Sequence, residues 1–159
     1  KGNIIVKDYK DEVKFKICPN SALAELEGHK SSENVSLLNL LVAKEMNHDD
    51  CIYGLGDKTN FLNKRHYDYI NWNSDFPQTH TENFKSMYKD FPFFIVKGSK
   101  KTYGIFFDNT FKTYFDMGFS DEKYLFFGAN EGNLNYYFIN GKNIKEVVSN
   151  YTFCCESYK

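Results

Sequence analysis

The sequence lacks the features that nucleic-acid-binding and membrane-spanning proteins require. Its 20 Lys and Arg residues are balanced by 21 Asp and Glu residues, so the net charge is −1. A nucleic-acid-binding domain needs a basic patch, and the densest one here, Lys97 to Lys101, is interrupted by Gly98 and Ser99. No apolar run approaches the ~20 residues of a membrane-spanning helix. We therefore expect neither a nucleic-acid nor a membrane partner.

Cysteine is scarce and is not arranged for metal binding. The four cysteines are Cys18, Cys51, Cys154 and Cys155, and their spacing fits no zinc site. Adjacent cysteines rarely bond each other, so we predict free thiols. We also predict no metal and no cofactor. The chain begins at Lys1 without a signal-peptide pattern or an initiator Met. We expect a processed or excised chain and a cytoplasmic location.

Short apolar runs dominate the second half of the chain and predict β-strands. Val13 to Ile17 also alternates apolar and polar residues, which predicts one buried face. Turn residues separate the runs, among them Gly98, Asn109 and Gly118. Strands at this spacing predict an all-β fold, an antiparallel β-sandwich. The runs are Phe93 to Val96, Tyr103 to Phe107, Phe111 to Phe115, Tyr124 to Phe127 and Leu134 to Ile139.

Four other segments depart from this strand pattern. Gly54 and Gly56 flank one Leu, which predicts a tight bend. Residues 57 to 90 are polar and aromatic without steady periodicity, and we interpret them as an ordered functional excursion. The apolar run from Leu37 to Val42 fits a helix or a strand. Near the end, helical spacing of apolar residues predicts a short helix from Asn143 to Tyr151, with Glu146 at the capping-box position.

Three motif-rich stretches, in the same order and spacing, resemble family 31 of the glycoside hydrolases, which contains α-glucosidases and α-xylosidases. The first is Tyr53-Gly-Leu-Gly-Asp-Lys-Thr-Asn-Phe-Leu-Asn-Lys-Arg65. The second runs from Trp72-Asn-Ser-Asp-Phe-Pro77 into Ser86-Met-Tyr-Lys-Asp-Phe-Pro-Phe-Phe-Ile95. The third begins with Tyr103-Gly-Ile-Phe-Phe-Asp-Asn109 and continues through Phe115-Asp-Met-Gly118 to Tyr151. Together they cover roughly residues 50 to 152.

The resemblance implies a galactose mutarotase-like β-sandwich, a single domain over residues 1–159, that precedes a catalytic (β/α)8 barrel. Retaining hydrolysis needs two flanking carboxyl groups, and the family's barrel motifs do not occur here. Asp116 only superficially resembles the family's nucleophile. We therefore expect that this chain alone catalyses nothing and has no catalytic residue. Its expected partners are α-glucoside sugars, the missing barrel and, through an exposed apolar face, a second copy of the chain in a homodimer.

The same resemblance points to two substrate-binding residues, Asp75 and Trp72. Asp75 corresponds to an Asp that hydrogen-bonds sugar hydroxyls at the mouth of the active site, although Asp before Phe-Pro is also a common turn residue. Trp72 fits stacking on a sugar ring or anchoring the loop on the sandwich. Arg65 and Asp57 are expected to pair or to hold the loop.

Two other functions remain open from the residues. One is a free-standing carbohydrate-binding module. The other is an aldose mutarotase, in which His66 or His80 would act with Glu82 as general acid and base. Fold alone does not decide between such functions.

Overall fold

The structure, a computed structural model, describes the backbone of residues 5–7 and 12–18 and the side chains of residues 38–75, 77, 79–81 and 84–156. These residues form ten strands and one helix, α1 (Ile144–Glu156). The strands are β1 (Ile5–Lys7), β2 (Glu12–Cys18), β3 (Leu40–Glu45), β4 (Cys51–Gly56), β5 (Asp68–Asn71), β6 (Asp90–Lys97), β7 (Thr102–Phe107), β8 (Thr113–Asp116), β9 (Tyr124–Ala129) and β10 (Tyr136–Gly141).

The strands form two antiparallel sheets. The larger has the order β1-β2-β3-β9-β8-β5 and the smaller has the order β10-β7-β6-β4. This arrangement confirms the predicted all-β sandwich, including the strand around Val13 to Ile17. Of the run that fitted a helix or a strand, Leu40 to Val42 belong to β3, and Leu37 lies outside the described residues. None of the described helices is long and apolar enough to cross a membrane.

The main core lies between the sheets and is built largely from aromatic rings. Phe94 packs edge-on against Phe115 and Phe127, with ring centroids 6.0 and 5.9 Å apart. Phe107 meets Phe127 in the same way at 5.3 Å. Each of these rings is buried, so the edge-to-face geometry adds a small attraction to the gain from burying large apolar side chains. The high aromatic content thus largely fills the core.

One lysine shares the inward face of β3. Lys44 is buried, and its Nζ donates to the carbonyl of Glu45 at 2.6 Å and lies 5.1 Å from the ring centroid of Tyr103. Burial disfavours the charged ammonium. It lowers the pKa of Lys44 from 10.5 to about 8.

The predicted bend at the end of β4 is confirmed. Gly54, Leu55 and Gly56 have φ angles of 119°, 69° and 81°, and the pairing of β4 with β6 shifts register there. A Cβ atom at Gly56 would lie 2.1 Å from the carbonyl oxygen of Lys89. Only glycine fits such a close approach at positive φ. The bend turns the chain out of the small sheet and into residues 57 to 89.

The helix begins where the capping pattern predicts. The Oδ1 atom of Asn143 accepts from the amide of Glu146 at 3.0 Å. The carboxylate of Glu146 reaches back to the amide of Lys142 at 3.1 Å, one residue before the cap. The helix then packs on the outer face of the small sheet, where Tyr151 stacks on Phe93 with ring centroids 3.9 Å apart. Cys51, Cys154 and Cys155 are free thiols, as predicted, whereas the side chain of Cys18 lies outside those that the structure describes.

Two boundaries differ from the prediction. The segment from 57 to 90, interpreted as a loop excursion, contains strand β5. Its inward residues are Tyr69 and Asn71, and a polar Asn at a buried position hides the alternation that marks a strand. The helix ends at Glu156 rather than near Tyr151. Its last turn carries an exposed Phe153, so no buried stripe signals the extension.

Candidate functional site

The segment between β4 and β6 is tied to the sandwich by side chains that bond to backbone groups. Asn63 Oδ1 accepts from the amides of Ile52 at 2.9 Å and Arg65 at 3.2 Å. The Arg65 guanidinium donates to the carbonyls of Asn47 at 2.7 Å, Asp50 at 2.9 Å and Glu122 at 3.1 Å. Arg65 therefore holds the loop, one of its two predicted roles, by bonding carbonyls rather than by pairing with Asp57.

A buried ion pair fixes the part of this segment that leads to Asp75. Lys58 Nζ donates to Asp90 Oδ1 and, at 3.1 Å, to the carbonyl of Ile70. The other oxygen of Asp90 accepts from the amide of Trp72 at 2.5 Å. Both side chains of the pair are almost inaccessible to solvent. Burial lowers the pKa of Lys58, and the charge of Asp90 opposes that effect.

This ion pair was not predicted from the sequence. Lys58 and Asp90 lie 32 residues apart, one near each end of the excursion. The available signal was that both belong to the stretches that resemble the family motifs. A third contact adds to this ion pair, because Asn73 Oδ1 accepts from the amide of Asp90 at 2.8 Å. The ion pair and the bonds of Asp90 to Trp72 and Asn73 together form the Lys58–Asp90 clamp. The loop that begins at Trp72 thus leaves β5 from a fixed position.

Both predicted substrate-binding residues lie on the surface of that loop. The Trp72 side chain is 54% exposed. Its carbonyl accepts from the hydroxyl groups of Ser74, at 2.8 Å, and Ser86. Asp75 is exposed, and its carboxylate forms no hydrogen bond with another described residue. An Asx turn is also excluded, because the residue two positions later is Pro77, which has no amide hydrogen to donate.

A cleft of about 450 Å³ lies beside Trp72, between the loop that follows β5 and the loop that joins β7 to β8. Asn71 lines it, is 6% exposed and has no hydrogen-bond partner for either amide atom. The opposite loop carries Phe111 and is braced by Asn109, which accepts from the amide of Phe111 at 2.8 Å and donates to the carbonyl of Glu131 at 2.9 Å. Other lining residues include Asn73, Asp90, Pro92, Phe106, Asp108 and Thr110.

Asp116 has a structural role. It is fully buried, and its carboxylate accepts from the backbone amides of Gly118, Phe119 and Ser120 at 3.1, 2.7 and 3.3 Å and from the Ser120 hydroxyl. Burial raises the pKa of Asp116. Both oxygens are engaged in closing the turn after β8. This agrees with the interpretation that its likeness to a nucleophile motif is superficial.

Two of the histidines lie in contacts that the structure describes. The His80 ring packs edge-on against Phe84 and Tyr88, with centroids 5.5 and 5.7 Å away. His66 has a φ of 72°, and its amide donates to the carbonyl of Met117 at 2.9 Å. Glu82 lies outside the described residues. Within the part of the chain that the structure describes, no group of three or more His, Cys, Asp or Glu side chains could hold a metal ion.

Comparison with known proteins places these features in context. The model of the Glycosyl hydrolase 31 N-terminal galactose mutarotase-like domain matches residues 6–116. Alpha-glucosidase 2 of Bacillus thermoamyloliquefaciens is 38% identical over 109 residues, which are 69% of this chain and 14% of that protein. Alpha-xylosidase XylQ of Lactiplantibacillus pentosus is 36% identical over 105 residues, 65% of this chain and 13% of that protein.

A solved structure gives the same result. A Flavobacterium johnsoniae GH31 dextranase in complex with glucose is 34% identical, with a TM-score of 0.70 over 93% of this chain and 16% of its own. This chain thus spans only about one seventh of the length of the curated relatives it matches. The similarities confirm the resemblance that was inferred from the motifs around Tyr53, Trp72 and Tyr103.

Proposed function

Since this chain belongs to the galactose mutarotase-like domains at the N-terminus of family 31 glycoside hydrolases, we propose that it is a non-catalytic domain whose loop contacts the sugar substrate of such an enzyme. The relatives are an α-glucosidase, an α-xylosidase and a dextranase. The proposed ligands are accordingly α-glucosides. The substrate would sit between the loop that carries Asp75 and a catalytic barrel supplied outside this chain.

The observation that carries the proposal is the exposed carboxylate of Asp75, which forms no hydrogen bond with another residue that the structure describes. An exposed carboxylate can accept hydrogen bonds from two hydroxyl groups of a sugar, and hydrogen bonds to a charged acceptor are the stronger ones. The Lys58–Asp90 clamp fixes the start of the loop only a few residues away. Pro77 stiffens its other side, because Pro disfavours helical conformations of the preceding residue. Positioning of this kind is what substrate orientation requires.

A catalytic role for the isolated chain is not part of the proposal. Retaining glycosidases use two carboxyl groups about 5 Å apart that flank the scissile bond. Asp90 and Asp116 are engaged in a buried ion pair and a turn. We therefore expect the purified chain not to hydrolyse nitrophenyl α-glucosides. Turnover that survives purification and disappears when one Asp or Glu of this chain is replaced would overturn this expectation.

The test of Asp75 uses the chain fused to the barrel of a related enzyme. Asp75→Ala removes a hydrogen bond to a charged group, which contributes about 1.5–3 kcal/mol. We expect kcat/KM to fall about ten- to a hundredfold, at about 1.36 kcal/mol per decade. A loss in KM alone indicates uniform binding of ground and transition states, whereas a loss in kcat indicates a contact made in the transition state.

The matched control is Asp57→Ala, at another exposed Asp of the same segment. It should leave kcat/KM unchanged. Neither substitution should change the free energy of unfolding by more than about 0.5 kcal/mol, because both residues lie on the surface. Unaltered kinetics in Asp75→Ala, or kinetics lost only in proportion to lost folded protein, would reduce Asp75 to a loop residue without a ligand.

Several large apolar side chains are exposed, among them Phe61, Leu62 and Phe119. A contiguous apolar patch on a protein surface marks a site that a partner covers. The homodimer expected from the sequence stays a prediction, and sedimentation of the chain at high concentration tests it. A strict monomer at millimolar concentration would contradict it.

A further inference from the structure

We propose that the cleft beside Trp72 binds an α-glucan on its own, with Trp72 and Phe111 as its apolar walls. This inference takes its ligand class from the proposed function but concerns different residues from Asp75. It makes the chain a carbohydrate-binding module that works without a catalytic barrel.

The size and the walls of the cleft suit a short oligosaccharide. Its volume of about 450 Å³ lies within the range of small-molecule sites. Trp72 and Phe111 line it and are 54% and 46% exposed. A half-exposed ring leaves apolar area in contact with water, and the C–H face of a pyranose can cover that area while its hydroxyl groups point to polar neighbours.

Polar groups with unused hydrogen-bonding capacity accompany the rings. Asn71 lines the cleft and is only 6% exposed. Neither the nitrogen nor the oxygen of its side-chain amide has a hydrogen-bond partner. A buried amide in this state is destabilising unless a ligand or a water molecule bonds to it. The exposed carboxylate of Asp108, on the opposite loop, also forms no hydrogen bond with a described residue. The cleft therefore offers both donors and acceptors for hydroxyl groups.

Both walls are fixed before any ligand arrives. The amide of Trp72 is bound to Asp90 at 2.5 Å. The loop of Phe111 is held by Asn109, which bonds the amide of Phe111 and the carbonyl of Glu131. A preformed site avoids the entropic cost of ordering loops on binding. Asp90 also lines the cleft, and each of its oxygens already accepts a hydrogen bond, one from Lys58 and one from Trp72.

The chain supplies its own reporter for a binding experiment. It contains a single Trp beside 12 Tyr, so emission excited at the red edge of the tryptophan absorption band, where tyrosine absorbs little, reports Trp72 alone. We expect isomaltotriose, titrated into the purified chain, to give a saturable change in emission, and sorbitol at equal concentration to give none. Phe111→Ala should weaken binding about three- to tenfold, which is the loss expected for one ring contact.

The matched control is Phe61→Ala, which removes another exposed Phe that does not line the cleft. It should bind like the wild type. If Phe111→Ala does not fold, as judged by circular dichroism, Asp108→Asn at an exposed position provides a second test and should also weaken binding. The absence of a saturable change, or equal losses in the Phe61 and Phe111 variants, would overturn the proposal.

The outcome of this binding experiment can be distinguished from the outcome of the kinetic test of Asp75. Asp75→Asn should bind isomaltotriose like the wild type in this assay, because Asp75 does not line the cleft. The same substitution should lower kcat/KM in the fused enzyme. A cleft that fails to bind sugar thus leaves the role of Asp75 to its own kinetic test.

Discussion

Replacing Asp90 by Asn tests whether the buried ion pair with Lys58 holds the loop that carries Trp72 and Asp75. The substitution keeps the shape of the side chain and one acceptor for the amide of Trp72. It removes the negative charge opposite Lys58, whose side chain is 0% exposed. The ammonium would then remain buried without a charged partner, which is the costly half of a broken ion pair.

The expected loss of stability is large for a single substitution. Removing one partner of a buried pair costs about 3–5 kcal/mol. For a chain of this length each kcal/mol shifts Tm by about 2–4 °C, so Tm should fall by about 6–20 °C. The double variant Lys58→Met/Asp90→Asn should recover most of the loss, because it removes the unpaired charge as well.

The pH dependence of stability provides an independent test of the ion pair. Burial already lowers the pKa of Lys58, and Asp90 partly offsets that effect. Without Asp90 the pKa of Lys58 in the folded state should fall further, while its pKa in the unfolded state stays at about 10.4. The unfolded state then binds more protons across that interval, so the stability of Asp90→Asn should rise with pH towards the unfolded pKa.

Urea unfolding followed by circular dichroism measures both effects. The control is Lys85→Met, which breaks the pair of Lys85 with Asp68, where the lysine side chain is 38% exposed. An exposed pair contributes about 0–1 kcal/mol. If Asp90→Asn costs no more than this control, or if the double variant is as unstable as the single one, the clamp is not what holds the loop.

Two further substitutions test other features of the fold. Lys44→Met should stabilise the chain by up to about 3 kcal/mol at pH 7. The pKa of Lys44 is lowered from 10.5 to about 8, so wild-type stability should rise between those two pH values, and a variant with the same rise would contradict this account. Gly56→Ala places a Cβ atom 2.1 Å from the carbonyl of Lys89 at a φ of 81°. It should cost about 2–4 kcal/mol in chemical unfolding, and a loss below 1 kcal/mol, roughly the ordinary mutational effect, would show that β4 and β6 can move apart there.

The sequence by itself determined the features that depend on neighbouring residues. Apolar runs and turn residues located the strands from Phe93 to Ile139, because alternation and chain reversal are local properties. The paired glycines around Leu55 located a bend whose φ angles few other residues tolerate. The cap at Asn143 located the start of the helix. The order of motifs also identified the family, and placed Asp75 on a loop.

Only the tertiary structure decided what depends on residues that are distant in the chain. Strand β5 was missed because its inward residue Asn71 is polar, and only the packing of the two sheets makes that position buried. The partner of Lys58 lies 32 residues away, and no local pattern encodes such a pairing. The cleft between Trp72 and Phe111 exists because β5 pairs with β8 and brings two loops together. Burial and pairing between distant strands are properties of the folded chain, so these features follow from the packing of the sheets rather than from local sequence.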